Sequence, residues 1–126
     1  MLYSAHVVMQ VVYTDGVQED FPVWENIVLV EAENPEEAEK IAREFGTGSE
    51  ETCDDSFTWN GKKARWVFAG IRRLVTCVNI LDHTNVDTAT RVGHGTEVTY
   101  FEFTMKSPSD FNAYLTGNEV ELKMTE

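Results

Sequence analysis

The chain has little with which to staple or interrupt itself: two cysteines, three prolines and eight glycines in 126 residues. Two cysteines, Cys53 and Cys77, are too few for the disulfide framework of a small secreted domain, so both read as free thiols in a reducing compartment. No apolar run approaches the ~20 residues that span a bilayer. The first residues lack a basic stretch followed by an apolar segment and a small-residue cleavage site, which predicts no secretory signal. Basic side chains are scarce, ten Lys and Arg against 22 Asp and Glu, for a formal charge of −12. A body so negative repels the phosphate backbone that dominates nucleic-acid binding. The expectation is a cytoplasmic protein with neither nucleic acid nor membrane as partner.

What is present suffices for one domain over 1–126. Hydrophobic residues make up 42% of the chain and aromatics 11%, enough to bury a single core and too much for a disordered segment. The charge is unevenly placed. Residues 1–55 hold 14 acidic and two basic side chains, whereas 56–126 hold eight of each. The sign changes in the stretch Asp55–Val75, which carries Trp59 and Trp66 together with Lys62, Lys63, Arg65, Arg72 and Arg73.

The periodicities give an order of elements. Tyr3, Ala5, Val7, Met9, Val11 and Tyr13 alternate with Leu2, Ser4, His6, Val8, Gln10 and Val12, one apolar and one mixed face of a strand. A second strand covers about 22–32, with Ile27 to Val30 apolar on both faces. Asn34, Pro35 and Glu37 then read as N-cap, first helical residue and capping-box partner. Ala38, Ile41, Ala42 and Phe45 form one buried stripe, and Gly46 reads as the helix stop. Thr47–Asp54 reads as an acidic loop. Asn60-Gly61 is a hairpin turn, because both residues tolerate positive φ, and Gly70 stands where the alternation slips, as at a β-bulge. Residues 79–94 read as a long polar loop, and Thr96–Met105 as a strand. Ser107-Pro108-Ser109-Asp110 opens a second helix that stops at Gly117, and Val120, Leu122 and Met124 alternate in a closing strand.

Read in that order, Tyr3-Ser4, Glu25 to Ala32, Glu36-Glu37-Ala38, Trp59-Asn60-Gly61, Trp66-Val67-Phe68 and Gly95 to Val98 resemble a bacterial family catalogued as domain of unknown function 4288. The resemblance spans about residues 3–105 and implies a small stand-alone domain. It supplies no activity.

The expected fold is α+β: a mainly antiparallel sheet of five or six strands in the order ββαβββαβ, with both helices on one face. A ferredoxin-like core from the second strand onward is one arrangement this order permits. Two short helices on one face would leave apolar side chains on the other, since Ile27 and Leu29 oppose Val28 and Val30, and Val67 and Ala69 oppose Trp66 and Phe68. The long loop, a second protomer or a ligand must cover them, and a twofold self-contact is the commonest symmetric answer. A homodimer through that second face is therefore expected, with room for another protein partner.

No catalytic signature is visible, and the expected role is a non-enzymatic binding or regulatory domain without cofactor or metal. Its best candidate site is the basic hairpin: Trp24, Trp59 and Trp66 for stacking, Arg65 for a carboxylate or phosphate, Lys62 and Lys63 at the rim. Against this stands the ordinary alternative that these cations pair with Glu50-Glu51 and Asp54-Asp55. Glu25 and Glu97 sit in otherwise apolar strands and read either as partners of Arg65 or Arg72 in buried ion pairs or as exposed residues at a strand edge. Asp82, His83, Asp87 and His94 fit no metal spacing, and His6 reads as a surface or interface residue. Two other classes stay open: an immunity- or inhibitor-like protein that masks a basic partner with its acidic 15–55 region, and a small-molecule-binding protein or enzyme with its site at the Trp/Arg hairpin or at Glu25, Glu97 or His6.

Overall fold

The computed structural model describes residues 1–14, 16–18, 20–51, 57–77, 93–117 and 123–124. Among these residues six strands and two helices follow one another: β1 (Leu2–Tyr13), β2 (Phe21–Glu31), α1 (Pro35–Glu51), β3 (Thr58–Trp59), β4 (Lys62–Thr76), β5 (Glu97–Met105), α2 (Pro108–Leu115) and β6 (Lys123–Met124). They form one sheet in the spatial order β3-β4-β1-β2-β5-β6, and every pairing is antiparallel. The α+β class and the element order agree with the sequence reading.

The first strand lies at the centre, and its alternation organises both sides of the sheet. Tyr3, Ala5, Val7 and Met9 point to one face, joined by Val28 and Val30 of β2 and covered by Ala38 and Ala42 of α1. Val8 points to the other, with Val23 of β2 and with Phe103 and Met105 of β5, under Phe111 and Tyr114 of α2. The two helices therefore sit on opposite faces, which corrects the expectation of both on one. The register on β2 makes β5 aim Phe103 and Met105 away from α1, and only two residues separate the end of β5 from α2. Helices on opposite faces also exclude the ferredoxin-like core, which packs both of its helices on one face of an antiparallel sheet. The second face is thus covered by the chain's own helix over Val8, Val23, Phe103 and Met105. Among the described residues the large apolar side chains exposed on the strands are Val75 of β4 and Val98, Tyr100 and Phe101 of β5.

Both helix starts follow from their caps. Asn34 Oδ1 accepts the Glu37 N–H at 2.8 Å, and Ser107 Oγ accepts the Asp110 N–H at 3.1 Å with Pro108 at the head of α2. The end of α1 differs from expectation. Gly46 and Gly48 are helical and α1 continues to Glu51. Gly46 is there for its neighbour, since a Cβ at this position would enter the ring of Phe68. In β4 the register against β1 shifts between His6 and Val7 and again between Val8 and Met9. These shifts leave Arg72 and Ala69 as extra residues on either side of Ile71 and Gly70, and each bulge turns its side chain toward the α2 face.

Candidate functional site

The basic hairpin forms as expected. Asn60 (φ 53°) and Gly61 (φ 77°) supply the left-handed turn, and Trp59 stands opposite Lys62 on β4. Three strands bring three indoles together beyond the end of α1. Trp24 of β2 meets Trp59 at 5.4 Å with the rings at 89°, and Trp66 at 4.8 Å and 63°. Rings at these separations touch edge to face and leave no gap for a ligand between them. The cluster is a solid platform of half-buried rings, not a cage.

The cations at its edge are spread. Lys62 Nζ lies 5.4 Å from the centre of the Tyr13 ring and donates to the Val17 carbonyl at 3.3 Å. Two shallow depressions flank it, one of about 410 Å³ lined by Gly16, Gly61, Lys62 and Lys63, the other of about 170 Å³ lined by Tyr13, Val17, Asp20, Asn60 and Lys62. Arg65 is largely exposed, and its Nη2 stands 3.9 Å from Glu50 Oε1. The other oxygen of Glu50 accepts the Phe68 N–H at 3.0 Å. A pair so open to water is worth little, and Arg65 is available to a better partner.

A second constellation lies on the opposite face and is far more enclosed. Glu25, 5% exposed, is the one charged residue in the buried core of the described chain. Its Oε2 accepts from Nδ1 of His6 and its Oε1 from the Tyr114 hydroxyl. Nη1 of Arg72 stands 3.5 Å from the same Oε1. Arg72 also donates from Nε to the Tyr114 carbonyl at 2.9 Å and lies over the Tyr114 ring at 4.5 Å. The bulge in β4 is what aims Arg72 here. Burial, and after it the hydrogen bond to Glu25 and the Glu25 charge, push the Tyr114 phenol well above its ordinary range, against the weaker downward pull of Arg72. Tyr114 therefore stays a neutral donor to the carboxylate. A buried carboxylate tolerates such a site only with its lone pairs filled, and here β1, β4 and α2 each supply one partner.

Of the two carboxylates singled out in the sequence, Glu25 reaches Arg72, whereas Glu97 is exposed opposite Val28. His6, expected at the surface or at an interface, is half-buried with its ring turned to Glu25. Tyr114, which the sequence presents only as part of a helical stripe, supplies the hydroxyl. The clue available in the sequence is the demand itself, since a Glu amid Val, Trp, Ile and Leu must find donors somewhere. His94 turns to β2, its Nδ1 accepting the Glu31 N–H at 3.0 Å, and its ring lies 5.7 Å from that of Phe45. Asp82, His83 and Asp87, together with Cys53, Asp54 and Asp55, lie outside the described residues. Among the described residues no group of three or more His, Cys, Asp and Glu side chains could hold a metal. No described helix is long and apolar enough to cross a membrane.

No curated protein and no solved structure matches the chain. A family model does, over residues 2–100, from the first residue of β1 to the middle of β5. By that match the chain belongs to the family described as Domain of unknown function (DUF4288).

Proposed function

We propose that the protein is a non-enzymatic binding domain of the cytoplasm, and that its docking surface is the corner where Trp24, Trp59 and Trp66 meet. Its partner is an acidic, aromatic-bearing peptide segment of another protein. The observation that carries this reading is the convergence of three half-exposed indoles, drawn from β2, β3 and β4, near a hairpin whose Lys62, Lys63 and Arg65 are exposed. Indole faces supply contact area at small entropic cost, and the cations select against basic partners. A binding surface of this kind needs no deep cleft, and both depressions beside Lys62 are open ones.

A displayed random-peptide library panned against the full chain tests the reading. The enriched peptides should be acidic, should bind more weakly as salt rises, and should lose binding to the triple variant Lys62→Glu, Lys63→Glu, Arg65→Glu and to Trp59→Ala. Enrichment of basic peptides, or binding indifferent to all four changes, would overturn it. We further propose that the protein is a homodimer through β5, where Val98, Tyr100 and Phe101 are 54%, 57% and 45% exposed. Light scattering across a concentration series checks this, and a constant monomer mass rejects it.

A further inference from the structure

Tyr114 occupies surroundings that would suit a phenol from outside the chain. The Arg72 guanidinium lies over its ring at 4.5 Å. Phe103 meets the ring edge to face at 4.8 Å and 73°, and the hydroxyl donates to Glu25. A cationic plate, an aromatic wall and a charged acceptor together distinguish a phenol from a benzene ring, which has no donor, and from an aliphatic alcohol, which has no π face. The acceptor is oriented without help from α2, because His6 of β1 holds its other oxygen.

The walls and the occupant belong to different parts of the chain. His6, Glu25, Arg72 and Phe103 stand on β1, β2, β4 and β5 of the sheet, while Tyr114 stands on a helix of eight residues. A helix this short has no stability of its own and persists only while docked. The family match includes His6, Glu25 and Arg72 but ends before α2 begins. The sheet side of the pocket is thus largely within the matched domain, and its filling is outside it.

We propose that His6, Glu25, Arg72 and Phe103 form a phenol-recognition pocket, that α2 fills it with the chain's own Tyr114, and that the tyrosyl side chain of a partner protein displaces it. The helix is then an autoinhibitory strap. Opening it frees the pocket together with Val8, Val23 and Met105, which α2 covers. This inference does not rest on the tryptophan corner, which lies on the other face of the sheet.

The test uses the full chain, with p-cresol as the probe and toluene as its hydroxyl-free control. In Tyr114→Ala, p-cresol should raise the melting temperature saturably, and toluene should bind about tenfold more weakly or worse, the discrimination expected when a charged acceptor loses its donor. In the double variant Tyr114→Ala, Glu25→Gln that preference should shrink. Equal responses to the two probes, or none, would overturn the pocket. In the wild-type chain, p-cresol should speed amide hydrogen exchange across 108–115 while exchange in β1 and β2 stays unchanged, and unaltered exchange in α2 would overturn displacement. If Tyr114→Ala does not fold, Tyr114→Phe takes its place. That variant keeps the ring but lacks the hydroxyl, so p-cresol should release its α2 more readily than in wild type, and an identical response would overturn the proposal.

Discussion

The hydroxyl of Tyr114 and the carboxylate of Glu25 meet across 89 residues of sequence, and Glu25 also accepts from His6 while Arg72 stands beside it. One carboxylate thereby ties the C-terminal helix to three strands. Removing it strands a guanidinium and a phenol in a poorly hydrated place. Glu25→Ala should cost about 3–5 kcal/mol of unfolding free energy, as when one partner of a buried pair is deleted. Glu25→Gln, which keeps an acceptor, should cost less. Urea unfolding of the two variants beside wild type checks both the size and the order.

The Tyr114 phenol imposes a dependence on alkaline pH. Its folded-state pKa lies above the unfolded value of about 10, raised first by burial and then by Glu25. A group shifted upward contributes stability that is fully present below the unfolded pKa and is lost as pH rises beyond it, because only the unfolded chain can then release the proton. Stability should hold level on this account up to about pH 10 and fall above it. The fall should be shallower in Tyr114→Phe. Thermal melts of both proteins from neutral to strongly alkaline pH decide it.

Two helical glycines should respond oppositely to the same substitution. An interior helical Gly→Ala change ordinarily stabilises by about 0.5–1 kcal/mol. A methyl added at Gly48 would meet open space, so Gly48→Ala should follow the rule. At Gly46 the methyl would enter the Phe68 ring, and overpacking of this kind costs about 1–3 kcal/mol. Gly46→Ala should therefore destabilise, and Phe68→Leu in the same chain should recover part of the loss. Denaturant midpoints of the three variants measure the contrast.

The cap of α2 offers a localised test. Ser107→Ala removes the acceptor for the Asp110 N–H and should cost about 1 kcal/mol. Because α2 hangs from the sheet by few bonds, its amides should exchange faster while those at the centre of β1 do not. Exchange followed by mass spectrometry resolves the two regions.

Where one side chain determines its own surroundings, the sequence is legible. Asn60-Gly61 makes a hairpin wherever it is placed, and Asn34 and Ser107 cap helices through bonds three residues away. The alternation in β1 sorts the sheet's two faces correctly. Gly46 misleads because its cause lies on another strand: it is a glycine for Phe68, not for a left-handed turn of its own. The face taken by α2 depends on where β5 aims Phe103 and Met105, which needs the register of β5 on β2. At the sites, the nearness of the tryptophans and the need of Glu25 for partners are visible in residue types. Tyr114 and His6 are not, since a phenol in a helical stripe and an imidazole on a mixed strand face serve many ends. Only the packing chooses between them.

The placement of β1 between β2 and β4 has a consequence for synthesis. The opening strand of the chain cannot have both flanks zipped until the ribosome has released Thr76, the last residue of β4. Until then the nascent protein offers a naked, hydrogen-bonding border lined with valines, and a chaperone or a neighbouring chain emerging nearby can reach it. Slowing translation between α1 and β4 should therefore favour misassembly at that border.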